Sequence, residues 1–188
     1  MKKVFFPISK VCTAAFAAKE AGVRNKSYLF DWTGQSYKSM AYMLNNGVDT
    51  LFDDIERVDN VESHPYGHHS IWDFNYKIGF LHEKAEDSVD VLKKKYKRKY
   101  NKTIKAIKEA DWICLIQSCK EEDTVKHHIE LVQPYFKRVL DPTFEDLDGD
   151  DLECIKEAIL KINPNVQIHV TDHHDKWSEV VEEIKFLK

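Results

Sequence analysis

Five consecutive apolar residues, Trp112-Ile-Cys-Leu-Ile116, are closed on both sides by the polar Asp111 and Gln117. A strand with one face in water would alternate. An unbroken run of this length reads as a strand buried on both faces, and such strands belong to parallel sheets with helices above and below. The rest of the chain fits that frame. Val4–Ile8 reads as a strand, and an alanine-rich helix runs from about Cys12 to Ala21 and stops at Gly22. A helix is expected over 37–45, a short helix or turn over 49–55, and an irregular or short-strand stretch over 60–74. Tyr76–Leu81 alternates like a strand. Asp87–Ala110 has helical spacing at Val91, Tyr96, Tyr100, Ile104 and Ile107. After the apolar run come a helix over 123–136, an acidic loop over 141–151, a helix over 151–162, a strand over 166–170 and a closing helix over 176–186. Strand and helix in alternation predict an α/β chain: a single three-layer domain, 1–188, with a mostly parallel central sheet.

Composition narrows the partners. A net charge of −4 with mixed signs gives no overall field for nucleic acid or an anionic membrane. The one basic run, Lys93 to Lys102, lies inside a helical pattern and reads as a solvated helix face. No stretch has the apolar length of a membrane span. Cys12, Cys114, Cys119 and Cys154 are scattered in a chain large enough to do without disulfides, which points to a reducing, cytoplasmic setting. Cys114 and Cys154 fall on apolar faces and are expected in the core. The first twenty residues have the basic start and apolar stretch of an export signal, but Pro7, Ser9 and Lys10 interrupt it.

In α/β folds the functional site lies beyond the carboxyl ends of the strands, where loops and helix N-termini meet. Ser9, Lys10 and Cys12 follow the first predicted strand, and His82 and Glu83 follow 76–81. Gln117, Ser118 and Cys119 follow 112–116. Thr171, Asp172, His173 and His174 follow 166–170. Cys12 stands at a strand-to-helix turn, where unpaired N–H groups and the helix dipole favour a thiolate. A thiol nucleophile needs an imidazole to handle its proton and a third group to orient that imidazole. His82 is the first candidate for the imidazole, with Asp31 or Asp172 as orienting group and His173 or His174 as alternatives to His82. Ser9, Trp32, Glu83, Gln117 and Ser118 are candidate pocket residues.

The order of short motifs resembles a bacterial and viral family assigned as papain-like cysteine peptidases, otherwise a domain of unknown function. The matching segments are PISKVCTAAFAAKEAGVR, the run from Arg24 through Ser27-Tyr-Leu-Phe-Asp31-Trp32, VDTLFDD, Phe80-Leu-His82-Glu83 and KKKYKRKYNKTIKAIKEADWICLI. The likeness covers about the first 120 residues and is most specific at SYLFDW. Leu29 stands where the family has proline and Glu83 where it has aspartate. The resemblance implies that Cys12 is the nucleophile and His82 the base. A papain-like α+β arrangement, with the cysteine helix against an antiparallel sheet, is therefore the alternative fold.

Other clusters weigh less. His64, His68 and His69 in HPYGHH have no nearby carboxylate or cysteine to complete a metal set and read as an aromatic-rich loop. DLDGDD places its glycine wrongly for a calcium loop. Glycines are few and unclustered, so no phosphate cradle is expected, and no metal or cofactor is expected either. The expectation is a cysteine-dependent hydrolase or acyltransferase acting on a peptide, amide or other small substrate. Its alternative is a non-catalytic module using the same strand-end cleft.

Overall fold

A computed structural model describes residues 1–8, 13–24, 26–31, 33–59, 69–80, 83–84, 86–117, 133–140, 151–172, 174 and 176–188. In chain order the elements among them are β1 (Lys3–Pro7), α1 (Thr13–Glu20), β2 (Thr33–Gln35), α2 (Tyr37–Asn46), β3 (Ile55–Asp59), β4 (His69–Asp73) and β5 (Ile78–Phe80). Then follow α3 (Val89–Glu109), β6 (Trp112–Ile116), a 3₁₀ turn (Gln133–Tyr135), α4 (Asp151–Ile162), β7 (Gln167–Val170) and α5 (Trp177–Leu187).

The apolar run at 112–116 is the middle strand of a parallel sheet ordered β1-β6-β7. Its register sets Phe5 beside Cys114 and Ile113 beside Ile168. Alternation divides its side chains between two cores. Val4, Phe6, Ile113 and Leu115 enter the main core, whereas Cys114 and Ile116 enter a second cluster with Ala14, Ala17, Ala18, Val180, Val181 and Ile184. The alanines leave α1 little side-chain bulk, so it packs directly on β1 and α5. On the opposite face α2, α3 and α4 bury Met40, Leu44, Leu92, Ile107, Ile155 and Ile159. The α/β class holds, with helix, sheet and helix layers around the parallel strands.

A second sheet joins this core. It is antiparallel and ordered β2-β5-β4-β3. Of the segment 76–81, read from sequence as one of the alternating parallel strands, residues 78–80 form β5, paired antiparallel to β2 and β4. Residues 49–54 form turns, and β3 begins at Ile55. Asp73 organises these connections. Its buried carboxylate accepts the N–H of Phe52 (2.6 Å) and of Tyr76 (2.9 Å). The first bond holds Phe52 in the left-handed region, at φ 69°, with its ring 4.6 Å from that of Phe80.

Helix boundaries follow local chemistry. Ser36 caps α2 by accepting from Ser39 N–H, and Gly47, at φ 86°, ends it. Ser88 caps α3 by accepting from Val91 N–H. Asn163 donates from Nδ2 to the carbonyls of Ile107 and Ala110, satisfying the far end of α3. Of the expected face of α3, Tyr96 and Ile107 are buried and Tyr100 and Ile104 pack half-buried against the core, while Val91 is exposed; Leu92, Lys99 and Thr103 complete the buried stripe. Of the helix expected over 123–136, only 133–136 are described, and 133–135 form the 3₁₀ turn. His64 and His68 lie outside the described residues.

Candidate functional site

Only part of the expected site falls among the described residues. Cys12, Ser9, Trp32, His82, Ser118 and His173 lie outside them, as does Cys119, while Asp31, Glu83, Gln117, Asp172 and His174 lie within. Helix α1 opens at Thr13, the residue after Cys12, and β1 ends at Pro7.

Asp31 and Glu83 come together at α3. Asp31 ends the turn at 29–31 and is 1 % exposed. Its Oδ2 accepts from Arg24 Nε (3.0 Å) and Nη2 (2.7 Å) and from Tyr28 N–H (3.1 Å). Its Oδ1 is buried and has no hydrogen-bond partner among the described residues. Burial pushes the Asp31 pKa up, and the Arg24 hydrogen bond and charge pull it back only in part. The turn is held in two directions. Leu29 N–H donates to Thr103 Oγ1 of α3 (3.1 Å), and the Tyr28 ring meets Phe6 of β1 edge-on at 4.6 Å.

Glu83 is 8 % exposed and accepts the Tyr96 hydroxyl at 2.8 Å on Oε1, while the Lys95 ammonium pairs with its Oε2. Lys99 stands one turn further along the buried stripe, its Nζ 4.5 Å from the Tyr96 ring centroid. Burial brings its pKa down to about 8, against the opposing pull of Glu83 and Asp31. Sequence reasoning missed Lys99 because it sits inside a lysine-rich run. The signal was nevertheless there, since position 99 continues the spacing of 92, 96, 103 and 107.

Gln117 and Thr171 join the ends of β6 and β7. Gln117 N–H donates to Thr171 Oγ1 (3.0 Å) and its side-chain amide to Thr171 O (2.8 Å). Glu183 of α5 gathers the loop beyond. It accepts the Asp172 N–H (3.0 Å to Oε2) and meets His174 Nε2 at 2.7 Å. His174 Nδ1 faces Glu179 at 3.8 Å. Both ring nitrogens of His174 therefore face carboxylates. His169 lies 3.5 Å from Glu183 Oε1 without hydrogen-bond geometry and stacks on Trp112. Glu183 was not readable as a partner, because an acidic residue on an exposed helix pattern carries no mark of the loop it will meet.

Beside the start of α1, an open cavity of about 630 Å³ is lined by Thr13, Phe16, Lys19, Glu20 and Trp177. The Trp177 indole N–H donates to Glu20 Oε2 at 3.0 Å, fixing one wall. Cys114 is buried in the second core, and burial drives its thiol up to about 12, so it is no nucleophile. Among the described residues no group of three or more His, Cys, Asp or Glu side chains is placed to hold a metal ion, and no helix is long and apolar enough to cross a membrane. Comparison with protein-family models, with curated proteins and with solved structures finds no match.

Proposed function

We propose that the chain is a cysteine-dependent hydrolase of amides or thioesters, with Cys12 as nucleophile, His82 as its acid and base, and Asp31 as the residue that positions His82. One observation carries this reading. In the β2/β5 ladder Thr33 pairs with Phe80. Asp31 is two residues before Thr33, and His82 is two residues after Phe80. Asp31 and His82 thus each stand two residues in sequence beyond this paired position, and the buried Asp31 Oδ1 has no hydrogen-bond partner among the described residues. Further support comes from Glu83, next to His82 in sequence, which shares with Asp31 its electrostatic hold on Lys99. The edge contact of Tyr28 with Phe6 ties the same turn to β1, the strand that leads to Cys12.

In the proposed reaction the Cys12 thiolate attacks the carbonyl carbon, and N–H groups of the first turn of α1 hold the oxyanion. Protonated His82 then gives its proton to the leaving nitrogen as the C–N bond breaks, leaving a thioester on Cys12. His82 next takes a proton from water, which attacks the thioester; the C–S bond breaks, the carboxylic acid leaves, and the Cys12 thiolate is restored beside protonated His82.

The test is alkylation of the folded protein by iodoacetamide, read by peptide mass. At pH 7 Cys12 should react about tenfold or more faster than free cysteine, as expected of a thiolate-favouring site. Cys114, buried at the heart of the second core, should react only after unfolding. His82→Ala should slow Cys12 by about tenfold or more. Asp31→Asn should raise the pH midpoint of the reaction, a change that loss of packing alone would not produce. A Cys12 that resists the reagent until the protein unfolds rules out the hydrolase and leaves the non-catalytic binding module.

A further inference from the structure

Helix α3 carries a concentration of positive charge that the proposed hydrolase does not use. An open groove of about 670 Å³ runs along it, walled on one side by Val48 and Asp49. Lys93, Lys94, Lys97, Arg98, Lys102 and Lys105 line it, with Asn101 between them. Three of the six cations are matched: Lys93 pairs with Asp53, Lys97 with Asp49 and Lys105 with Glu109. Lys94, Arg98 and Lys102 have no carboxylate partner among the described residues, and all three are exposed.

Their spacing makes them one feature. Positions 94, 98 and 102 recur every four residues, so the three cations rise along one face about 6 Å apart, and Lys105 extends the row to about 17 Å. The step of about 6 Å between neighbours is shorter than the Debye length of about 8 Å at physiological salt, so an extended anion meets adjacent cations jointly. The chain's net charge of −4 is a sum over the whole molecule, but a ligand responds to the local field.

We propose that this groove binds the phosphodiester backbone of a single nucleic-acid strand without reading its sequence. The chemistry of the lining favours this occupant over two others. A membrane-surface helix needs large apolar residues beside its cations, and among the described residues the only apolar one lining the groove is Val48. An acidic peptide bound as an extended strand needs pockets for its alternate side chains, and the groove offers lysine stems and Asn101 in their place. A phosphodiester backbone needs only a row of cations with hydrogen-bond donors.

The experiment is fluorescence anisotropy with a labelled oligothymidylate of about twelve nucleotides, enough to span the groove of about 17 Å. Binding should have a Kd of about 1–100 µM at low salt and a slope of log K against log salt of about −2 to −3, corresponding to three or four neutralised phosphates. The triple variant K94Q/R98Q/K102Q should weaken binding tenfold or more. The variant K26Q/K137Q/K161Q removes the same charge from other exposed positions and should bind like the parent, with circular dichroism confirming that both variants fold. The proposal is overturned if the two triple variants bind alike or the salt slope is flat. It is equally overturned if polyglutamate, or vesicles rich in phosphatidylserine, compete for the groove as tightly as the oligonucleotide.

Discussion

Lys99 shows how much a single buried charge can reveal. Its ammonium lies under the Asp31 turn and beside the Glu83–Tyr96 bond, in the layer from which the proposed site is built. Burial depresses its pKa from 10.5 to about 8, so between those values the unfolded chain holds a proton that the folded chain does not. Stability linked to Lys99 is therefore complete above 10.5 and is lost as pH falls through about 8. Other buried groups act in the opposite sense: Cys114 and Tyr96 have raised pKa values, and their linked stability falls as alkali rises. The measurement that isolates Lys99 is thus a difference. The unfolding free energy of the parent minus that of Lys99→Met should rise by about 2 kcal/mol between pH 8 and pH 9.5, with urea denaturation as the readout. A difference that stays flat over that interval would place the ammonium in contact with water.

At the scale of elements, the parallel and antiparallel sheets were not equally legible, for a physical reason. The middle strand of the parallel sheet is buried on both faces, so Trp112–Ile116 announces itself as an unbroken apolar run. The antiparallel strands are short, two of them only three residues long, and several of their buried positions are polar: Thr33, Gln35, Ser70 and Asp73. Ile55-Glu-Arg-Val-Asp59 carries three charged residues, and β5 has glycine at its centre. Gly79 is there for space: a Cβ at that position would lie 3.1 Å from the Trp72 ring on the neighbouring strand. Glycine lowers strand propensity in sequence for the same reason that it is needed in the sheet, namely the absence of a side chain. Gly79→Ala should therefore destabilise the protein by about 1–3 kcal/mol, as overpacking does, despite alanine's better propensity. Chemical denaturation gives that number, and Trp72 fluorescence should report the displaced indole; a neutral or stabilising result would mean that the two strands can separate at no cost. The candidate site divides along the same line. Cys12 and His82 stand out in sequence as reactive groups after strands but lie outside the described residues, whereas Glu183 and Lys99 acquire meaning only from the elements packed against them.

For the molecule as a whole, the question is whether two sheets of opposite pairing unfold as one. Among the described residues no strand pairing joins them, so the coupling seen there comes through side chains. The main core is continuous across both: Val4, Phe6, Ile113 and Leu115 from the parallel sheet are in the same cluster as Ile71, Ile78 and Phe80 from the antiparallel one. The link runs through α3. Phe80 meets Phe52 at 4.6 Å and Tyr96 at 4.8 Å, and Tyr96 shares its buried stripe with Ile107, which lies in the core beside the parallel strands. Removing Phe80 cuts that link at its antiparallel end. Phe80→Ala should cost about 3–5 kcal/mol, the range for a buried aromatic that leaves a cavity. The decisive feature is where the loss falls. Trp72 reports from β4 and Trp112 from β6, so variants retaining one or the other as the sole tryptophan follow each sheet separately. In the Phe80→Ala background both reporters should move to lower denaturant together, coincident with the far-ultraviolet signal, because neither sheet has a private core large enough to stand when the shared one opens. If Trp72 moved first and Trp112 kept its original midpoint, the antiparallel sheet would be an attachment to the α/β frame with a stability of its own.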